Sequence, residues 1–165
     1  MSRNPIELIA RTLEPSGGRA WHGGPTPVGA LRGVDAEAAR GRPLQGRHSI
    51  WALALHIAYW NYAVRRRLEA QAGRREGPRF PRSPANWPSL PRIADEAAWR
   101  ADRALLKAEH DQLIRVIRAF PAARLARRPP GGKRWSYGEL ILGVLVHDAY
   151  HAGQIQLLKR LLSVR

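Results

Sequence analysis

The stretch LILGVLVHDAYHAGQIQLLKRLL, residues 140–162, decides how this chain folds. Leu140, Val144, Ile155, Leu158 and Leu162 recur at helical spacing and define one inward stripe. Ser136 stands where an N-cap is needed, with Glu139 three residues on as a capping box, so one helix runs from Ser136 to about Leu162. His147 and His151 fall inside the apolar stripe, and Gln154 sits at its edge. Side chains at i and i+4 stack on one helix face, so two imidazoles at this spacing can converge on one cation. The pair alone leaves two readings open: hydrogen-bonded core histidines, or metal ligands.

Three more helical patterns precede this one. The first spans roughly Asn4 to Leu13 and stops before Glu14-Pro15-Ser16-Gly17-Gly18, because proline and paired glycines end helices. A loop with Trp21-His22-Gly23-Gly24-Pro25 and a short helical turn near Val34 to Ala39 follow. The second long pattern runs from about Ser49 to Gln71. Ile50, Leu53, Ile57, Trp60, Val64 and Leu68 form one stripe, and Trp51, Leu55, Ala58 and Tyr62 form an arc nearly opposite. A helix apolar on both sides is either central or faces a partner. Gly73 to Pro91 is rich in proline and arginine, and its length without regular structure marks a functional or crossover loop. The third pattern runs from about Asp95 to Phe120, with Leu106, Leu113 and Ile117 inward, and stops before Pro121. Four helical patterns and no strand pattern predict an all-α fold, a four-helix bundle with a long Pro-rich loop between its second and third helices. The expectation is a single domain over residues 1–165.

Composition narrows the function classes. There is no cysteine, which excludes disulfides, thiolate ligands and a cysteine nucleophile. No apolar run reaches the ~20 residues of a membrane span and the opening residues carry no signal-peptide pattern, so a cytoplasmic location is expected. The net charge is +15, from 28 Lys+Arg against 13 Asp+Glu. The densest basic clusters, Arg65-Arg66-Arg67 and the group Arg124, Arg127, Arg128, Lys133 and Arg134, are not interleaved with aromatics as a single-strand platform would be. A solvated basic surface is therefore expected rather than a nucleic-acid partner.

His56 supplies a third imidazole. It lies mid-helix among apolar residues, at the border of the inner stripe of the second long helix. Bundle cores build metal sites from facing helices, and three imidazoles leave an open coordination position, as catalytic sites do. His48 reads as a helix-start capping or surface residue, His110 as a core hydrogen-bonding residue, and Asp148 as a supporting or surface carboxylate. His22 lies in a loop able to fold over the site. His147-Asp148-Ala149-Tyr150-His151 also spells H-D-x-x-H, one methylene short of the metalloprotease motif. In that chemistry the acid must reach the metal-bound water, and an all-helical bundle offers no strand edge to bind a peptide.

The chain resembles the DinB/YfiT-like metalloenzyme superfamily (not the DNA polymerase that shares the DinB label) over nearly its whole length. The resemblance is carried by Ala20-Trp21-His22-Gly23, by His48-Ser49-Ile50-Trp51 through Leu55-His56-Ile57, and by Val146-His147-Asp148-Ala149-Tyr150-His151-Ala152-Gly153-Gln154-Ile155. It implies a metal triad of His56, His147 and His151. The expected cofactor is a divalent ion, zinc or nickel, with iron or manganese as alternatives. Relatives that act with small bacterial thiols such as bacillithiol or mycothiol imply a thiol-dependent transferase, of bacillithiol, mycothiol or glutathione type, on small electrophiles; the alternative is a non-enzymatic metal-binding stress-response protein. A homodimer is also expected. Leu142, Val146, Leu157 and Leu161, with Ala149 and Gly153 among them, lie opposite the histidines, and one bundle interior cannot hold both this stripe and the Trp51–Tyr62 arc. Cover by the Gly73–Pro91 loop or the Trp21–Pro25 segment is the competing arrangement.

Overall fold

The computed structural model describes residues 5–13, 23–70, 78–132 and 134–164, with the side chain of Leu13 left aside. The expected roles of Trp21 and His22 therefore lie outside the described residues. The chain is all-α: α1 (Pro5–Leu13), α2 (Pro27–Ala30), α3 (Ala36–Arg40), α4 (Ile50–Ala70), α5 (Glu96–Arg118) and α6 (Tyr137–Leu161). The long helices form the bundle, in which α4 packs against α5 and α6, and α1 closes on α5. The two short helices brace it, α2 under α6 and α3 against α4.

Each long helix starts where a side chain meets a free backbone N–H. Ser49 Oγ accepts from the Ala52 N–H at 3.2 Å, and Asp95 accepts from the Ala98 N–H at 2.8 Å. At α6, Ser136 and Glu139 form the full capping box. Helix α2 was not anticipated. Its signal was Thr26-Pro27, a cap followed by proline at the first helical position, and Thr26 does accept from the Gly29 N–H.

The core is two apolar clusters rather than one. Trp51, Leu55, Trp99, Leu106, Ile155 and Leu158 belong to the first. Val64, Leu68, Leu113, Ile117, Ile141 and Val144 belong to the second. Between them α4, α5 and α6 contribute a buried polar layer of Asn61, His110 and Asp148. The buried indoles are satisfied: Trp51 donates to Asp102 Oδ2 and Trp99 to the Val34 carbonyl, each at 2.8 Å.

The arc of Trp51, Leu55, Ala58 and Tyr62 does not face outward as expected. Trp51, Leu55 and Ala58 are fully buried. Helix α3 packs against α4, while Phe80 from the loop before α5 sits on Tyr59 and Tyr62, at ring-centroid distances of 5.6 and 5.4 Å. Arg82 fastens that loop by pairing with the fully buried Asp102 at 2.7 Å. The competing arrangement, cover within one chain, therefore holds for α4. On α6, Leu142, Val146, Tyr150, Leu157 and Leu161 are exposed among the described residues.

Candidate metal centre

His56 comes from the apolar first half of α4, and His147 and His151 from consecutive turns of α6. Their nearest ring nitrogens lie within 4.8 Å of one another, a grouping able to hold a metal ion. His56 Nε2 and His147 Nε2 stand 3.0 Å apart. Zinc–nitrogen bonds of ~2.0–2.1 Å in a tetrahedral site separate neighbouring nitrogens by about 3.3 Å. The spacing fits with a small adjustment.

The other ring nitrogens explain which atoms face the centre. His56 Nδ1 donates to the Asn86 carbonyl at 2.5 Å. His151 Nδ1 donates to Gln154 Oε1 at 2.7 Å, and Gln154 in turn donates to the Tyr150 hydroxyl. His147 Nδ1 makes a longer contact, 3.4 Å, with Asp148 Oδ1. With Nδ1–H engaged on an oxygen in each ring, the remaining lone pair sits on Nε2, the tautomer a metal requires. Two Nε2 atoms facing each other at 3.0 Å either share a cation or form one N–H···N hydrogen bond, according to the His147 tautomer. Burial, reinforced by His147, His151 and His48, pulls the His56 pKa from 6.5 down to about 4, against the opposing effect of the Asn86 carbonyl. Burial also lowers that of His151, with His147 adding to the effect and Gln154 opposing it.

The loop between α4 and α5 builds one wall. Trp87 is sandwiched between His48 and His56, at 3.6 and 3.7 Å between ring centroids and both nearly parallel. Asn86 adopts φ 70°, a left-handed conformation that asparagine tolerates better than most residues. There its carbonyl meets His56 while its side chain accepts from the Trp60 indole N–H at 2.8 Å. His48 is thus a stacking residue, and Ser49 beside it is the cap.

Beneath the triad, Asn61 Nδ2 donates to both oxygens of Asp148 at 3.0 Å. Asn61 Oδ1 meets His110 Nδ1 at 3.1 Å, and His110 Nδ1 lies 3.7 Å from Asp148 Oδ2. Burial pushes the Asp148 pKa up, but hydrogen bonds from His110, His147 and Asn61 outweigh it and hold the carboxyl below its usual value. The carboxylate is turned into the core, so the metalloprotease reading of His147–His151 loses its general base. His110 is the core hydrogen-bonding residue expected. The members not anticipated are Asn61, Asn86 and Trp87. Asn61 left a trace, a lone amide in an apolar helix; Asn86 and Trp87 left none.

A sequence-family model described as the DinB superfamily matches residues 28–155, which contain all three histidines. The chain belongs to the DinB superfamily. No curated protein and no solved structure matches it. Among the described residues of this DinB-superfamily chain, no helix is long and apolar enough to cross a membrane. Of its basic clusters, Arg65 and Arg66 are engaged in ion pairs, Arg65 with Glu69 and Glu109 and Arg66 with Glu69.

Proposed function

We propose that the chain is a metal-dependent transferase that joins a small-molecule thiol to an electrophile at a divalent ion held by His56, His147 and His151. One observation carries the reading: His56, His147 and His151 each offer a ring nitrogen within 4.8 Å of the others, and His56 and His151 turn Nδ1 onto oxygen acceptors at 2.5 and 2.7 Å. Three nitrogen ligands match zinc or nickel, and they leave a coordination position open. Bound there, a divalent ion supplies Lewis acidity, which lowers the pKa of a thiol or water and polarises a substrate.

The residues divide the remaining work. Asn86, Gln154 and Asp148 hold the imidazole tautomers, and Trp87 shields the His56 side of the centre from water. The chain has no cysteine, so the reacting sulfur comes from the co-substrate. That sulfur bonds to the electrophilic carbon, the leaving group departs with its electron pair, and the thiol proton passes to water. The test is turnover of chlorodinitrobenzene with glutathione, bacillithiol or mycothiol by zinc- or nickel-loaded protein. Metal-dependent turnover that His147→Ala abolishes supports the proposal. Full metal occupancy without turnover of any thiol overturns it in favour of a non-enzymatic metal-binding protein.

A further inference from the structure

The triad is not equally enclosed. His56 and His151 are buried, and Trp87 covers His56, while the His147 side chain keeps 23% of its surface exposed. That exposed side opens into a groove of about 630 Å³ between α4 and α6, within the range of small-molecule sites. Trp60 and Val64 form one wall, Leu142 and Val144 the other. At the far end stand Trp135 and Arg67. Trp135 and Leu142 are among the large apolar side chains left exposed. The Trp60 indole is held by its bond to Asn86, giving the groove a flat face beside the triad. Its floor is bare backbone at Gly143, where an added Cβ would meet nothing within 4 Å.

The charge in the groove is arranged by position. Near the triad the walls are apolar. At the far end, Arg67 is exposed and spends one N–H on the Ala63 carbonyl. Arg134 lies over the Trp135 ring at 4.4 Å. Among the described residues lining that end the one acid is Glu139, engaged by the backbone N–H and hydroxyl of Ser136, both at 2.7 Å. From Trp60, beside the triad, to Arg67 is seven residues of helix, ~10 Å along the axis.

We infer that this groove binds the electrophilic substrate, and that the substrate is a flat apolar carboxylate with its reactive carbon at the His147 end and its anionic group at Arg67, ~10 Å away. The inference rests on the triad being the reactive centre, and it adds the substrate class. Trp60 and Trp135 supply aromatic surface for the flat body, and Arg67 supplies the carboxylate's partner.

The test titrates zinc-loaded protein with two fluorescent probes of nearly the same shape, anilinonaphthalenesulfonate, which is anionic, and phenylnaphthylamine, which is neutral. The expected result is one site per chain that prefers the anion. Arg67→Gln weakens the anionic probe about twofold to fivefold, as loss of one exposed charge pair should, and leaves the neutral probe unchanged. Arg67→Lys restores most of the loss. Gly143→Leu fills the floor and weakens both probes at least tenfold, while metal content stays at wild-type level. Wild-type affinity for both probes in Gly143→Leu would place them elsewhere, on the outer stripe of α6, and overturn the inference. Equal affinity of the anionic probe in Arg67→Gln would overturn the carboxylate assignment. Metal content, measured on the same samples, separates the two readings. Unchanged metal with groove-insensitive probes sinks the groove alone, and wild-type protein that takes up no metal sinks the triad.

Discussion

Asp148 offers the sharpest handle on how the triad is supported. Its carboxylate is 2% exposed, accepts from one Asn61 nitrogen with both oxygens at 3.0 Å, and touches His147 Nδ1 at 3.4 Å. Asp148→Ala leaves the Asn61 amide without an acceptor in a buried layer and takes the neighbouring anion from His110 and His147. A buried donor left unmet costs ~1–3 kcal/mol, and with the second partner the loss comes to about 2–4 kcal/mol. In a chain of this size each kcal/mol moves the melting temperature by ~2–4 °C, so the metal-free variant should melt about 5–15 °C lower. Asp148→Asn separates packing from charge. It keeps an oxygen for Asn61 and loses a smaller part of the stability, yet removes the anion behind His147. Metal affinity, measured against a competing chelator, should then fall ~10-fold. Calorimetry of chelator-treated protein and the chelator competition read the two effects separately. An Asp148→Ala protein that melts with wild type, or an Asp148→Asn protein that binds metal as tightly, would refute the reasoning.

Metal removal should itself lower the melting temperature, because the ion ties α4 to α6; at a free-metal level of 1,000 times Kd the linkage is ~4 kcal/mol, and an unchanged melt after verified removal contradicts it. Acid should weaken the metal-free protein. The unfolded His56 imidazole takes a proton below pH 6.5, while the folded one resists until about pH 4. Stability is therefore level above that window and falls as pH drops through it, by about 3 kcal/mol at most from this residue; a urea midpoint unchanged between pH 7.5 and pH 5 would refute this. We also propose that the open stripe of α6 pairs two copies, since Val146 is 70% exposed and Ala149 and Gly153 permit close approach. Light scattering should give about twice 18.5 kDa at tens of micromolar, with Val146→Glu monomeric and fully metal-loaded, and a monomeric wild type refutes it.

The parts of this protein that sequence makes legible are those governed by local rules. The Ser136–Glu139 capping box and the stop at Pro121 mark helix ends, because a helix end must meet its backbone groups with nearby side chains. His147 and His151 are legible because their spacing equals one helical turn. Periodicity could show that α4 is apolar on two sides, but not that α3 and Phe80 cover the second side, since that depends on chain-distant packing. Asn86, Trp87 and Arg82 lie in an aperiodic loop. Their roles come from one left-handed residue, one ring stack and one buried ion pair, none of which leaves a repeating pattern.

The central claim is tested most directly by elemental analysis of protein purified without a histidine tag. The account predicts one zinc or nickel per wild-type chain. His56→Ala, His147→Ala and His151→Ala should each abolish stoichiometric metal, while His48→Ala and His110→Ala retain it. Near-wild-type occupancy in His147→Ala would contradict the account.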